Sequence, residues 1–189
     1  MNNIDIQINT IREAINQAFS NAESWLEKDI SLQNYRPRNS GWTILEILEH
    51  IYLTNHFLLK LIEKGYQKAL KNTNNLDLES ELKDYDFMNE NLEGIGKHKS
   101  FIWNRPEHMI PTGTMSLSEI SENLNSQRIQ CLNYLYEMPN GEGILYRTTM
   151  TVNQLGKIDV YQYIYFLTMH ITRHLTQMEK IEVEYYWYL

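Results

Sequence analysis

Three times along this chain a short polar side chain is followed, three residues on, by Glu or Gln at the head of an apolar-periodic run. The pairs are Thr43 with Glu46, Ser116 with Glu119, and Asp159 with Gln162. In each pair the first side chain can accept from a free amide of the opening helical turn. The second can reach back to the cap's own N–H. The spacing therefore predicts three helix starts. An earlier helix is marked by periodicity alone: Ile4, Ile8, Ile11, Ile15, Phe19, Ala22 and Trp25 step along one face of a segment running to about Lys28.

The breaks between these runs set the topology. Pro37, Asn39, Ser40 and Gly41 end the first. The second should run from Thr43 to near Gly65. The third should run from Ser116 to just before Pro139, with Leu117, Ile120, Leu124, Cys131 and Leu135 as its inner stripe. The fourth should run from Asp159 toward Tyr186, with Gly156 in the turn before it. Between helices two and three lies a long stretch punctuated by Gly94, Gly96, Pro106, Pro111 and Gly113. It has room for a short helix within Leu76–Leu92 and is otherwise a crossover. Thr148, Thr149, Thr151 and Val152 favour extended backbone between Gly141 and Gly156. The expectation is an all-α single domain over residues 1–189, a four-helix bundle with a long crossover between helices two and three.

Composition narrows the partners. Net charge is -7 and the basic residues are scattered, which argues against nucleic acid and anionic membrane. No apolar run reaches the roughly 20 residues that span a bilayer. Met1 to Asp5 has neither a basic nor an apolar signal region, so a cytoplasmic location is expected. Cys131 is the only cysteine, so no intrachain disulfide can form. Its apolar surroundings make it a small core residue.

The chemistry concentrates in His170-Ile171-Thr172-Arg173-His174. Residues four apart on a helix share a face, so both imidazoles can reach one ion. Two polar residues falling together in an aromatic-rich helix is the plainer reading. The helical wheel tests it. At about 100° per residue, Leu167, Met178 and Ile181 share the face of His170 and His174. Far upstream, His50 shares its face with Thr43, Thr54, Phe57 and Leu61. Three histidines on inward stripes of two helices need partners, and a metal would provide one for each ring. His56 points away from His50, and His98 and His108 lie in the crossover; all three read as surface or loop residues. Glu46, one turn before His50, reads first as the capping-box residue. A fourth ligand or an acceptor for a ligand imidazole are its alternatives. Gln177 can contact a substrate, whereas Arg173 reads as a surface charge or salt-bridge partner. Tyr163 lies in one row with the histidine pair and is the best-placed hydroxyl to line a site; its plainer reading is an aromatic core residue.

The segment Gly41-Trp42-Thr43-Ile44-Leu45-Glu46-Ile47-Leu48-Glu49-His50 resembles the early helix of the DinB/YfiT-like superfamily. Leu155-Gly156-Lys157-Ile158, Phe166-Leu167 and then His170 through Gln177 look like its last helix, with the family's H-x2-R-H-x2-Q run. The resemblance extends over nearly the whole chain in order and spacing, though only these two segments are specific. It implies a four-helix bundle with a three-histidine metal site at His50, His170 and His174, holding a divalent transition metal such as zinc or nickel. Members with assigned activity use a low-molecular-weight thiol, as S-transferases or thiol-dependent isomerases. Others are described only as metal-dependent hydrolases. Dimers are common there, so a homodimer is a candidate assembly. One departure stands out. Many members carry a His-Pro element before the last helix's glycine, where this chain has Met150-Thr151-Val152-Asn153-Gln154.

Two functions follow as expectations. One is a metal-dependent enzyme acting on a small molecule by thiol transfer or hydrolysis. The other is a non-catalytic bundle, metal-stabilised, that binds a small molecule or protein partner. The aromatic tail Val183 to Leu189 raises a further question, between an assembly surface and a cap on the core.

Overall fold

The computed structural model describes residues 3–83, 85–87, 90–101 and 106–188. In chain order its helices are α1 (Asn3–Ser24), the single turn α2 (Ile30–Gln33), α3 (Ile44–Asn72), α4 (Leu78–Lys83), α5 (Glu90–Gly94), α6 (Leu117–Glu137) and α7 (Val160–Trp187). Two short strands, β1 (Arg147–Met150) and β2 (Gly156–Asp159), lie between α6 and α7. The four long helices form the bundle. Both α1 and α3 pack against both α6 and α7, so α1 and α3 occupy opposite corners. Their inward stripes merge into one core that includes Ile11, Ile15, Phe19, Ile47, Ile51, Leu124, Phe166 and Ile171.

All three predicted capping boxes close. Glu46 N–H donates to Thr43 Oγ1 at 3.2 Å, and Thr43 N–H donates to Glu46 Oε2 at 2.8 Å. Ser116 with Glu119 and Asp159 with Gln162 repeat the arrangement. Each box satisfies two amides of the opening turn that have no partner within the helix. Cys131 is fully buried, and burial pushes its thiol up to about 12, as befits an unreactive core residue.

The structure departs from the sequence reading in four places. First, α3 does not stop near Gly65 but continues to Asn72. Gly65 is a contact position: a Cβ there would sit 3.2 Å from Val160 Cγ2 and 3.6 Å from the Tyr146 ring. Asn72 then anchors the extension, donating to Leu145 O at 2.8 Å. Second, the segment before α7 is an antiparallel hairpin, pairing Arg147 with Asp159 and Met150 with Gly156. Thr148 and Thr149 lie in β1. Thr151 and Val152 fall outside the strands, in a turn where Asn153 and Gln154 adopt φ of 48° and 56°. Third, Leu76–Leu92 contains two short helices rather than one; residues 84, 88 and 89 of it lie outside the described residues. Fourth, Leu61 is exposed, because the buried face at that level of α3 is Leu58, Leu59 and Ile62.

Among the described residues of the crossover, 97–101 and 109–113 form a strap against α7 and α3. Glu49, buried on α3, accepts from Thr112 N–H at 2.9 Å, Thr112 Oγ1 at 2.7 Å and Gly113 N–H at 2.7 Å. On α7, Arg173 donates to Lys97 O and lies near Phe101, its guanidinium 4.8 Å from that ring. The strap is thus tied to both helices that carry the histidines.

Candidate metal centre

His50 stands on α3, and His170 and His174 stand one turn apart on α7. All three are buried. Leu167, Met178 and Ile181, which share the α7 face, are buried with them. Ring centroids are 4.6 Å apart for His170–His174, 4.8 Å for His50–His174 and 5.3 Å for His50–His170. One ligand nitrogen from each ring lies within 4.8 Å of the others.

The outer nitrogens of two rings are fixed by protein acceptors. His50 Nδ1 lies 2.6 Å from Met109 O. A carbonyl can only accept, so Nδ1 carries the proton and Nε2 keeps its lone pair. His174 Nδ1 lies 2.9 Å from Gln177 Oε1, with the same consequence. This is the arrangement by which proteins orient ligating imidazoles. Burial also keeps the His170 and His174 rings neutral. It pushes His170 well below its ordinary range, reinforced by repulsion from His174, His50 and Arg173. It brings His174 to about 3, again with His50 adding to the effect. Neutral imidazole is the form that binds a metal.

The spacing of the α7 pair suits two ligands on one divalent transition ion. His170 Nε2 and His174 Nε2 are 3.1 Å apart. Two nitrogens each about 2.0–2.1 Å from one ion stand roughly 2.9–3.4 Å apart at angles between octahedral and tetrahedral. Three imidazoles without a carboxylate suit zinc or nickel over calcium or magnesium. The rings border a cavity of about 210 Å³, lined further by Thr54, His98, Met109, Arg173 and Gln177. The crossover strap supplies His98 and Met109 to this lining.

A family model described as the DinB superfamily matches residues 13–178, a span that includes all three histidines. The chain belongs to the DinB superfamily. No curated protein and no solved structure matches it.

The other candidate residues of this DinB superfamily chain divide. Gln177 is at the site, holding His174. Glu46 is committed elsewhere: its carboxylate caps α3 and pairs with Arg36 Nη2 at 2.6 Å. Tyr163 is buried and lines a separate crevice with Ile62, Gly65 and Tyr146, as its reading as a core aromatic anticipated. Arg173 is not a surface charge. It is 9% exposed and borders the cavity while tying down the strap. His98 is the main residue that sequence reasoning missed, since a crossover has no periodicity from which to orient a side chain. His56 is exposed, and His108 packs its ring 4.0 Å from Phe57.

Proposed function

We propose that this protein is a metal-dependent enzyme acting on a small molecule, by thiol S-transfer or by a related hydrolysis. The observation that carries the reading is the convergence of three buried imidazoles, His50, His170 and His174, on one cavity. A divalent ion in that position supplies Lewis acidity, lowering the pKa of a thiol or a water and making a nucleophile available near neutral pH. The chain's own residues prepare the place. Met109 and Gln177 orient His50 and His174 through their Nδ1 atoms, and burial holds His170 and His174 unprotonated. Arg173 and Glu49 hold the crossover segments that bring His98 and Met109 to the cavity. The cavity's modest volume supports a small substrate.

The alternative is a metal that only ties α3 to α7. A fourth protein ligand would favour it, and the two acidic residues nearest His50 in sequence are occupied: Glu46 at the cap and Glu49 by Thr112 and Gly113. That supports a site with positions left for substrate. The test is turnover with the zinc- or nickel-loaded protein, a low-molecular-weight thiol and an alkylating electrophile, with ester hydrolysis in parallel. Metal-dependent turnover that disappears in His170→Ala is expected. Turnover retained by the metal-free His170→Ala protein would sink the proposal.

A further inference from the structure

Glu49 precedes His50 on α3 but does not share its face, since neighbours on a helix point about 100° apart. Its carboxylate is buried, and among the described residues no lysine or arginine pairs with it. A carboxylate taken out of water is costly unless hydrogen bonds replace the lost hydration. The donors that do so are Thr112 N–H, Thr112 Oγ1 and Gly113 N–H, all from one turn of the crossover. That turn lies just beyond the carbonyl that holds His50. Met109 O is 2.6 Å from His50 Nδ1. The chain between the two contacts is stiff. Pro111 has its φ fixed by its ring. Ile110 before it is extended at φ −77° and ψ 126°, the region that a following proline favours. Gly113, at φ 72°, takes up a backbone conformation that other residues resist. An anchor on residues 112–113 is therefore relayed to Met109 O.

We infer that Glu49 is a positioning residue of the metal centre. Acting through residues 109–113, it holds Met109 O against His50 Nδ1–H and so keeps Nε2 as the ligating nitrogen. The inference rests on the metal-centre reading above. It adds a residue that is neither a ligand nor part of the cavity lining.

The test compares the wild type with Glu49→Gln and Thr112→Val. Glutamine keeps the length of the side chain but sets an NH2 group against a donor. Valine at the exposed Thr112 removes one donor to Glu49 and leaves the backbone contacts. Histidine tautomers of the metal-free proteins are read from long-range proton–nitrogen correlations, and zinc affinity from competition with a chromophoric chelator. Wild-type His50 should carry its proton on Nδ1. Glu49→Gln should mix the His50 tautomers and lower zinc affinity roughly tenfold or more. Thr112→Val should lower it roughly two- to fivefold. His174, held by Gln177, should keep its Nδ1 proton in both variants, whereas a general loosening of the fold would move it too. Unchanged zinc affinity in Glu49→Gln, or an unmoved His50 tautomer, would overturn the inference and leave the metal centre standing. A His174 tautomer lost together with that of His50 would also overturn it, because Glu49 would then be holding the fold. A wild type that takes up no zinc would overturn the metal-centre reading and this role with it.

Discussion

His174 is gripped on its outer edge, where Gln177 Oε1 meets Nδ1, and its other nitrogen lies 3.1 Å from His170. Gln177→Leu would leave the Nδ1 proton without an acceptor and the ring free to turn. Metal affinity should fall roughly 10- to 100-fold, measured by competition with a chromophoric chelator. Unchanged affinity would show that Gln177 does not orient the ring. Gln177 and the three histidines were legible in the chain because each sits on a helix, where spacing gives direction. Arg173 was misread for a related reason. The wheel turns it off the His174 face, but only the strap decides that this flank is buried. His98, Met109 and Glu49 act through contacts far apart in sequence, and nothing local announces them.

At the scale of elements, the start of α7 is an unusual cap. Asp159 is buried, accepts from Gln162 N–H at 3.0 Å and from Tyr85 Oη at 2.9 Å, and burial pushes its carboxyl up to about 6. The unfolded chain ionises this group near 3.8. Its stabilising contribution is therefore complete below about pH 4 and is lost as pH rises through about 6, by an amount on the order of 3 kcal/mol. Asp159→Asn keeps an acceptor for Gln162 and cannot ionise. Denaturant unfolding should show the wild type losing stability relative to Asp159→Asn between about pH 4 and 7. A pH-independent difference between the two would contradict this. The caps themselves were readable because they are local, a few atoms answering a few amides. The end of α3 was not. Gly65 looks like a terminator by propensity, yet contact with Val160 and Tyr146 carries the helix past it. The hairpin was only hinted at by its threonines, since its register depends on pairing across a turn.

At the scale of the molecule, the bundle brings His50 of α3 together with His170 and His174 of α7, and the crossover adds His98 and Met109 to the cavity beside them. No helix among the described residues is long and apolar enough to cross a membrane. The aromatic tail splits in two. Tyr185 meets Tyr35 edge to face with centroids 5.4 Å apart, whereas Tyr186 and Trp187 are exposed; Leu189 lies outside the described residues. Trp187, at 80% exposure, lies outside the core. Trp187→Ala should therefore shift the melting temperature by no more than about 2 °C. A fall of many degrees would place that ring in a packed environment. The fold and the histidine set together make one central claim, that this bundle is built around a metal. The most direct test is elemental analysis of the purified protein beside His50→Ala and His170→Ala. Near-stoichiometric divalent metal in the wild type, lost in both variants, is the predicted result. A metal-free wild type that also fails to take up zinc, nickel or manganese would contradict the account.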